Sequence, residues 1–262
     1  GWYLLGILNS PVVDFVFKRT AKCIEVEKYE ANKQFIAPLP IPDATPEERR
    51  QVAESAQKLQ ELHTTRRDLI EKFERRLNST QTVDGTKTED WLWTDLHSID
   101  HWKKNAPVGT PQKEVGKWAK AKFKVLLADH LTELDARLKP GATLAVTNTD
   151  DELRLAINGA TALELFDKPA TPLLAAQWRH ALRGVRVTEA FNGKRLVKLL
   201  LNLRATPDTN LASALLSIDR ELATLDQTIA VAETAINTLT YRLYHLTPAE
   251  ISAIETNKRS NA

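Results

Sequence analysis

The sequence contains no methionine and a single cysteine, Cys23. One thiol cannot form an internal disulfide. This excludes a disulfide framework and a multi-cysteine zinc site, and fits a reducing, cytoplasmic compartment. No apolar run is long enough to span a bilayer, so no membrane partner is expected. The opening Gly1-Trp2-Tyr3-Leu4-Leu5-Gly6-Ile7-Leu8 is apolar but has neither the basic leader nor the small-residue cleavage site of a signal peptide. Net charge is also scarce: 36 Lys and Arg against 34 Asp and Glu leave +2. That removes a globally basic nucleic-acid binder, although a local patch can hold phosphates on an otherwise neutral surface. A chain that opens on Gly inside an apolar run, with no Met anywhere, reads as a fragment of a longer protein.

What is present is ordinary for a globular protein: 262 residues, 42% hydrophobic and 27% charged, enough chain for one large core or two modest ones. Leu4, Leu5, Leu8, Val12 and Phe15 recur at helical spacing and predict an amphipathic helix from Tyr3 to Phe17. Pro11 either kinks it or occupies the first turn of a second short helix. Cys23 to Tyr29 alternates at Ile24 and Val26 and predicts one short strand, and Pro38, Pro40 and Pro42 stiffen an extended exit. Thr45-Pro46-Glu47-Glu48 is a helix start, with a capping hydroxyl, a proline in the first turn and acids at the positive end of the dipole. The helix it opens runs to about Leu77, with its apolar stripe at Val52, Ala56, Leu59, Leu62, Leu69, Ile70, Phe73 and Leu77. Asn78 to Thr88 is polar and reads as a linker.

Residues 89–205 hold five of the six tryptophans, 91, 93, 102, 118 and 178. Lys113 to Leu138 predicts a helix stopped by Pro140-Gly141. Thr143–Thr147 and Leu153–Ile157 flank the polar turn Asn148-Thr149-Asp150-Asp151 as a β-hairpin, and Leu173–Leu182 and Arg195–Leu203 predict helices. The last long segment carries the clearest periodicity. Leu211, Leu215, Ile218, Leu222, Leu225, Ile229, Ala232, Ile236, Leu239, Leu243 and Leu246 alternate spacings of four and three, a sustained heptad seam. Its helix is about as long as the one beginning at Pro46, roughly 50 Å. The two therefore fold back as an antiparallel pair, or else the seam packs on the insertion or on another chain.

Tyr3-Leu4-Leu5-Gly6-Ile7-Leu8-Asn9-Ser10, Val13-Asp14-Phe15, Tyr29, Lys33-Gln34-Phe35-Ile36 and Leu39-Pro40-Ile41-Pro42 together resemble the end of the TaqI-like C-terminal specificity domain of type IIG restriction enzymes and related adenine-specific DNA methyltransferases. Such proteins show a leucine-leucine-glycine-leucine-leucine-asparagine-serine helix and a leucine-proline-isoleucine-proline exit into a long charged helix. The tail, Tyr241-Arg242-Leu243-Tyr244-His245-Leu246-Thr247-Pro248-Ala249-Glu250-Ile251 with Ile254-Glu255, is similar to their usual close. The resemblance covers about 1–79 and 210–256. Type I specificity subunits share the layout, but Pro42-Asp43-Ala44-Thr45-Pro46-Glu47-Glu48-Arg49 is closer to the methyltransferase-fused form. The resemblance does not extend to the insertion at 89–205.

The expected fold is mainly α. Residues 1–43 are the end of a target-recognition domain, 44–80 a long spacer helix, 81–206 a mostly helical α+β insertion with a small hairpin, and 207–262 the heptad helix and tail. The long helices form a coiled-coil-like antiparallel pair. The resemblance implies double-stranded DNA as partner, and an upstream methyltransferase domain of the same protein that binds S-adenosylmethionine. No cofactor is expected in this chain. The family's Asn-Pro-Pro-Tyr motif is absent, Gly109 and Gly141 are isolated, and neither a Walker loop nor a nuclease cluster occurs.

Two sets of residues are candidates for DNA. Lys18, Arg19, Lys22, Lys28 and Lys33 cluster around the first strand as phosphate anchors, with Gln34 able to read an adenine edge. Lys113, Lys117, Lys120 and Lys124 repeat at four-three spacing, opposite Trp118, Leu127, Leu131 and Leu134. Such a stripe tracks a phosphate backbone or is simply a solvated face. His97 and His101 sit at i, i+4 near Asp95 and Asp100, where polarity beside Trp102 explains them better than a metal. Trp91, Trp93 and Trp102 either stack on an unpaired base or belong to the core. A second reading treats the chain as a protein-interaction module, whose Leu211–Leu246 seam docks a partner subunit or a second copy. A continuous basic face on the insertion favours DNA, and an exposed apolar seam favours a protein partner.

Overall fold

The computed structural model of the chain describes residues 1–25, 28–82, 92–166 and 171–260. The protein is mostly helical, with one small three-stranded antiparallel sheet. It divides into two compact units, 1–71 with 220–262, and 72–219.

The first unit opens with two helices, α1 (Trp2–Leu8) and α2 (Pro11–Thr20). Of the two readings of Pro11, the first-turn one holds. Ser10 is the N-cap, its Oγ accepting from the Val13 amide at 3.3 Å, and proline in the first turn forfeits no intrahelical bond. The single strand expected over 23–29 is instead two, β1 (Cys23–Glu25) and β2 (Lys28–Tyr29), paired antiparallel so that each supplies partners for the other's backbone. A short α3 (Lys33–Ile36) follows, capped by Asn32.

The long α4 (Pro46–Asn78) starts as its sequence demands. The Glu48 carboxylate accepts from the Thr45 amide at 2.9 Å, while the Thr45 hydroxyl accepts from the Glu48 amide at 3.3 Å. This reciprocal box satisfies two otherwise orphaned donors, and the Thr45 amide and hydroxyl, both donating to the Glu48 carboxylate, hold that carboxyl below its ordinary pKa. The same device, Thr247 with Glu250, opens the last helix (Pro248–Ser260). The core of this unit gathers Ile7, Val13, Val52 and Leu243. Gly6 lets α1 approach closely: a Cβ there would lie 2.8 Å from a Val52 methyl and 3.2 Å from Ala56 Cβ. The prolyl exit is pinned by tyrosines, with the Tyr3 hydroxyl donating to the Pro42 carbonyl (2.8 Å) and the Tyr244 hydroxyl to that of Pro40 (2.7 Å).

In the second unit, α4 ends at Asn78, and within the stretch read as linker Gln81–Thr82 forms β3; residues 83–88 of that stretch lie outside the described residues. Next come α5 (Ile99–Lys104) and α6 (Gln112–Arg137). The expected hairpin is present as β4 (Leu144–Asn148) and β5 (Glu152–Ile157), but a third strand, β6 (Ala160–Phe166), extends it into a meander. The second turn is Asn158-Gly159, both with positive φ (52° and 78°), the backbone of a tight hairpin loop. Leu153, Leu155 and Ile157 of β5 and Leu163 and Leu165 of β6 alternate onto one buried face. Against that face lie Leu174, Ala175 and Trp178 of α7 (Thr171–Leu182) and Leu196 and Leu200 of α8 (Gly193–Leu200). The helix expected to reach Leu203 stops at Leu200, because Arg204–Ala205 leaves as β7 to pair with β3.

The heptad helix is α9 (Thr209–Leu243). It ends three residues short of the seam's last leucine, Leu246, and His245, with φ of 52°, turns the chain toward the final helix, α10.

Candidate nucleic-acid interface

The lysines of α6 lie where a 3.6-residue period puts them. Lys113, Lys117, Lys120 and Lys124 are all exposed, with half-buried Trp118 and buried Ala119 turned away from them; Leu127, Leu131 and Leu134, expected opposite the lysines, instead continue the same four-three stripe toward the C-terminal end of the helix, half-buried and then buried. Helix α8 packs close to α6. The Gly193 amide donates to Asp135 Oδ1 at 2.6 Å, and a Cβ at Gly193 would lie 2.9 Å from Leu134 Cβ, so only glycine permits this approach. Asn192 caps α8 through the Arg195 amide at 2.9 Å. Leu196, Val197 and Leu200 turn into the core, which leaves Lys194, Arg195 and Lys198 in solvent.

Between α6 and α8 lies a cleft of about 1370 Å³, lined by Lys124 from one helix and by Lys194, Arg195 and Lys198 from the other. Half-buried Leu127, Leu131, Leu199 and Leu201 line it as well. Among the described residues, none of these lysines and arginines on the two helices forms an ion pair. Glu74 and His180 also line the cleft. The His180 ring stacks on Phe73 (centroids 4.6 Å apart, planes at 28°), and its Nε2 is 3.4 Å from Glu74 Oε1. Burial holds the imidazole below its ordinary pKa, with Arg183 acting in the same direction and Glu74 against it. Arg204 is occupied by the protein backbone. Its Nη1 donates to the carbonyls of Thr80 (3.0 Å) and Asn78 (3.2 Å), beside the end of α4.

The first-unit candidates are placed differently. Lys18 is half-buried and paired with Asp14 at 2.8 Å. The Arg19 guanidinium lies 3.4 Å from the centroid of the Phe15 ring and donates to the Phe15 carbonyl at 3.2 Å. Lys22, Lys33 and Gln34 are exposed. Lys28 belongs to β2, and its side chain lies outside the described residues, as does Trp91 altogether.

The other aromatic candidates are engaged within the protein. Trp93 stacks on His130 (4.8 Å, 4°), whose Nε2 is 2.8 Å from Asp95 Oδ1. Trp102 donates to the Leu96 carbonyl at 2.7 Å and meets Trp118 edge-on. His97 and His101 stack on each other at 4.0 Å, and among the described residues no three His, Cys, Asp or Glu side chains gather as metal ligands. Along α9, Leu215, Ile218, Leu222, Ile229, Ile236 and Leu243 are buried within the chain.

Sequence reasoning found the α6 stripe and missed its continuation on α8. The signal was there: after the Asn192-Gly193 start, four cations and no acid occur from Lys194 to Arg204, with leucines and a valine at helical spacing between them. No protein-family model matches the chain, and neither any curated protein nor any solved structure does.

Proposed function

We propose that this chain is a DNA-recognition and spacer module of a restriction-modification DNA (adenine-N6) methyltransferase, working in the cytoplasm and carrying no catalytic groups of its own. S-adenosylmethionine and the base-flipping pocket belong to an upstream domain of the same protein. One observation carries the DNA reading: the exposed lysines of α6 run on, through Lys124, to Lys194, Arg195 and Lys198 across the cleft. Cations not engaged in ion pairs release the counterions of phosphates they contact, which is the main source of affinity for a nucleic-acid backbone. The sequence resemblance of residues 1–79 and 210–256 supplies the rest: duplex DNA as target, recognition by the N-terminal segment, and a helical spacer.

Contacts in the first unit support an antiparallel course for the two long helices. His63 meets Glu233 (3.5 Å), Arg66 meets Asp226 (2.8 Å), and Val52 clusters with Leu243. As residue numbers rise along α4, those of its partners on α9 fall. With 33 and 35 residues, the helices supply a spacer of roughly 50 Å. The alternative, docking of a partner through the heptad seam, loses support because six of the seam's eleven side chains are buried inside this chain and the other five are half-buried.

The double variant Lys117→Glu/Lys120→Glu tests the DNA reading. Both positions are exposed, so thermal stability should be unchanged. Duplex affinity should fall about 10- to 100-fold at low salt, and the salt slope should shrink by about 2. Unchanged affinity would take the contact away from α6 and place it on the first-unit candidates.

A further inference from the structure

The cleft between α6 and α8 has a composition that a duplex does not explain. A duplex offers phosphates on its outside and keeps its base faces stacked, so phosphate contacts alone leave an apolar concavity uncovered. Here the cations surround half-buried Leu127, Leu131, Leu199 and Leu201. Resting on the proposal that the second unit contacts nucleic acid, we infer that this cleft seats a short unpaired segment, with phosphates on Lys124, Lys194 and Lys198 and base faces against the leucines. Unpaired bases are read by combining a cationic track with flat or apolar surfaces for their faces and polar groups for their edges. The edge groups are present. The Glu74 carboxylate accepts from an exocyclic amino group, and the amides of Asn78 and Asn202 both donate and accept. At about 1370 Å³ the cleft exceeds the roughly 300–1,000 Å³ of a site for one small molecule, so it has room for more than one nucleotide. An acidic amphipathic helix would suit the cations and leucines, but would meet Glu74 as a like charge.

The test compares three probes on the full chain: a single-stranded hexanucleotide containing 2-aminopurine, a duplex of equal length, and an acidic amphipathic peptide. Two variants accompany the wild type. Ala128→Trp fills the cleft from an exposed position on α6, and Lys194→Ala/Lys198→Ala removes cations without adding bulk. The single strand is expected to bind at least about tenfold more tightly than the duplex, with a change in 2-aminopurine fluorescence. Ala128→Trp should abolish that preference and leave duplex affinity within about twofold, and the lysine variant should weaken the single strand by about tenfold. Equal binding of both nucleic acids, untouched by Ala128→Trp, would overturn the inference while leaving the DNA reading intact. Binding of neither would overturn both. Binding of the peptide alone, lost in Ala128→Trp, would assign the cleft to a protein partner and overturn the inference.

Discussion

Trp178→Ala is expected to destabilise the second unit by about 3–5 kcal/mol, a large share of the roughly 5–15 kcal/mol that holds a typical fold. Two costs add at this position. The indole is only 1% exposed, packed on α7 in the same core as the sheet's buried face and α8, so truncation leaves a cavity that a close-packed interior cannot collapse into. Its Nε1 also donates to the Leu200 carbonyl at 3.0 Å. Leu200 is the last residue of α8, where carbonyls have no intrahelical partner, and the alanine variant leaves that oxygen buried and unsatisfied. Trp178→Phe separates the two costs. It keeps most of the apolar volume, loses the donor, and should cost only about 1–2 kcal/mol. Chemical denaturation of the three proteins measures both. A loss below about 1 kcal/mol for the alanine variant would contradict the place of Trp178 at the centre of this core.

Arg179→Met is expected to cost about 2–3 kcal/mol, out of proportion to an ion pair on a surface. The neighbouring Asp219, at the second unit's end of α9, is only 10% exposed in its side chain. Arg179 grips it with Nη2 at 2.7 Å and Nε at 3.0 Å from Oδ2, and reaches Asn148 Oδ1 with Nη1 at 2.9 Å. One guanidinium thus ties α7 to the end of β4 and to α9. Removing it leaves a nearly buried carboxylate without compensation. The figure lies below that for a fully buried pair because the arginine side chain is 29% exposed and partly screened. Arg179→Met/Asp219→Leu removes both charges and should recover most of the loss, so a double-mutant cycle gives the result. A double variant as unstable as Arg179→Met would show that the arginine acts by packing alone.

These two anchors also mark what the sequence could and could not disclose. Where the determinant is local, the expectation was close. Thr45-Pro46-Glu47-Glu48 opens α4 with the reciprocal hydrogen bonds its spacing allows, and Pro140-Gly141 follows closely on the end of α6. The β4–β5 turn was equally plain. The turn after it was missed although Asn158-Gly159 is a strong hairpin dipeptide and Leu163 and Leu165 alternate beyond it. No tertiary override hid it, since the signal is local. The antiparallel pairing of β1 with β2 is different, since two or three residues per strand carry too little periodicity to show two strands. The cleft lay beyond sequence reasoning altogether. Its walls are far apart in the chain, and nothing local says that Gly193 brings α8 against Leu134. Lys18 is the opposite case: it passed as a phosphate anchor although its partner Asp14 stands four residues earlier, the legible i,i+4 spacing of a helical ion pair.

The salt dependence of duplex binding by the intact chain bears most heavily on the proposal that this protein contacts DNA. If α6 and α8 present their cations to phosphates, affinity falls steeply between about 50 and 200 mM salt, with a log–log slope of roughly −4 to −6. No binding at the lowest salt, or an affinity that salt leaves unchanged, would contradict the proposal.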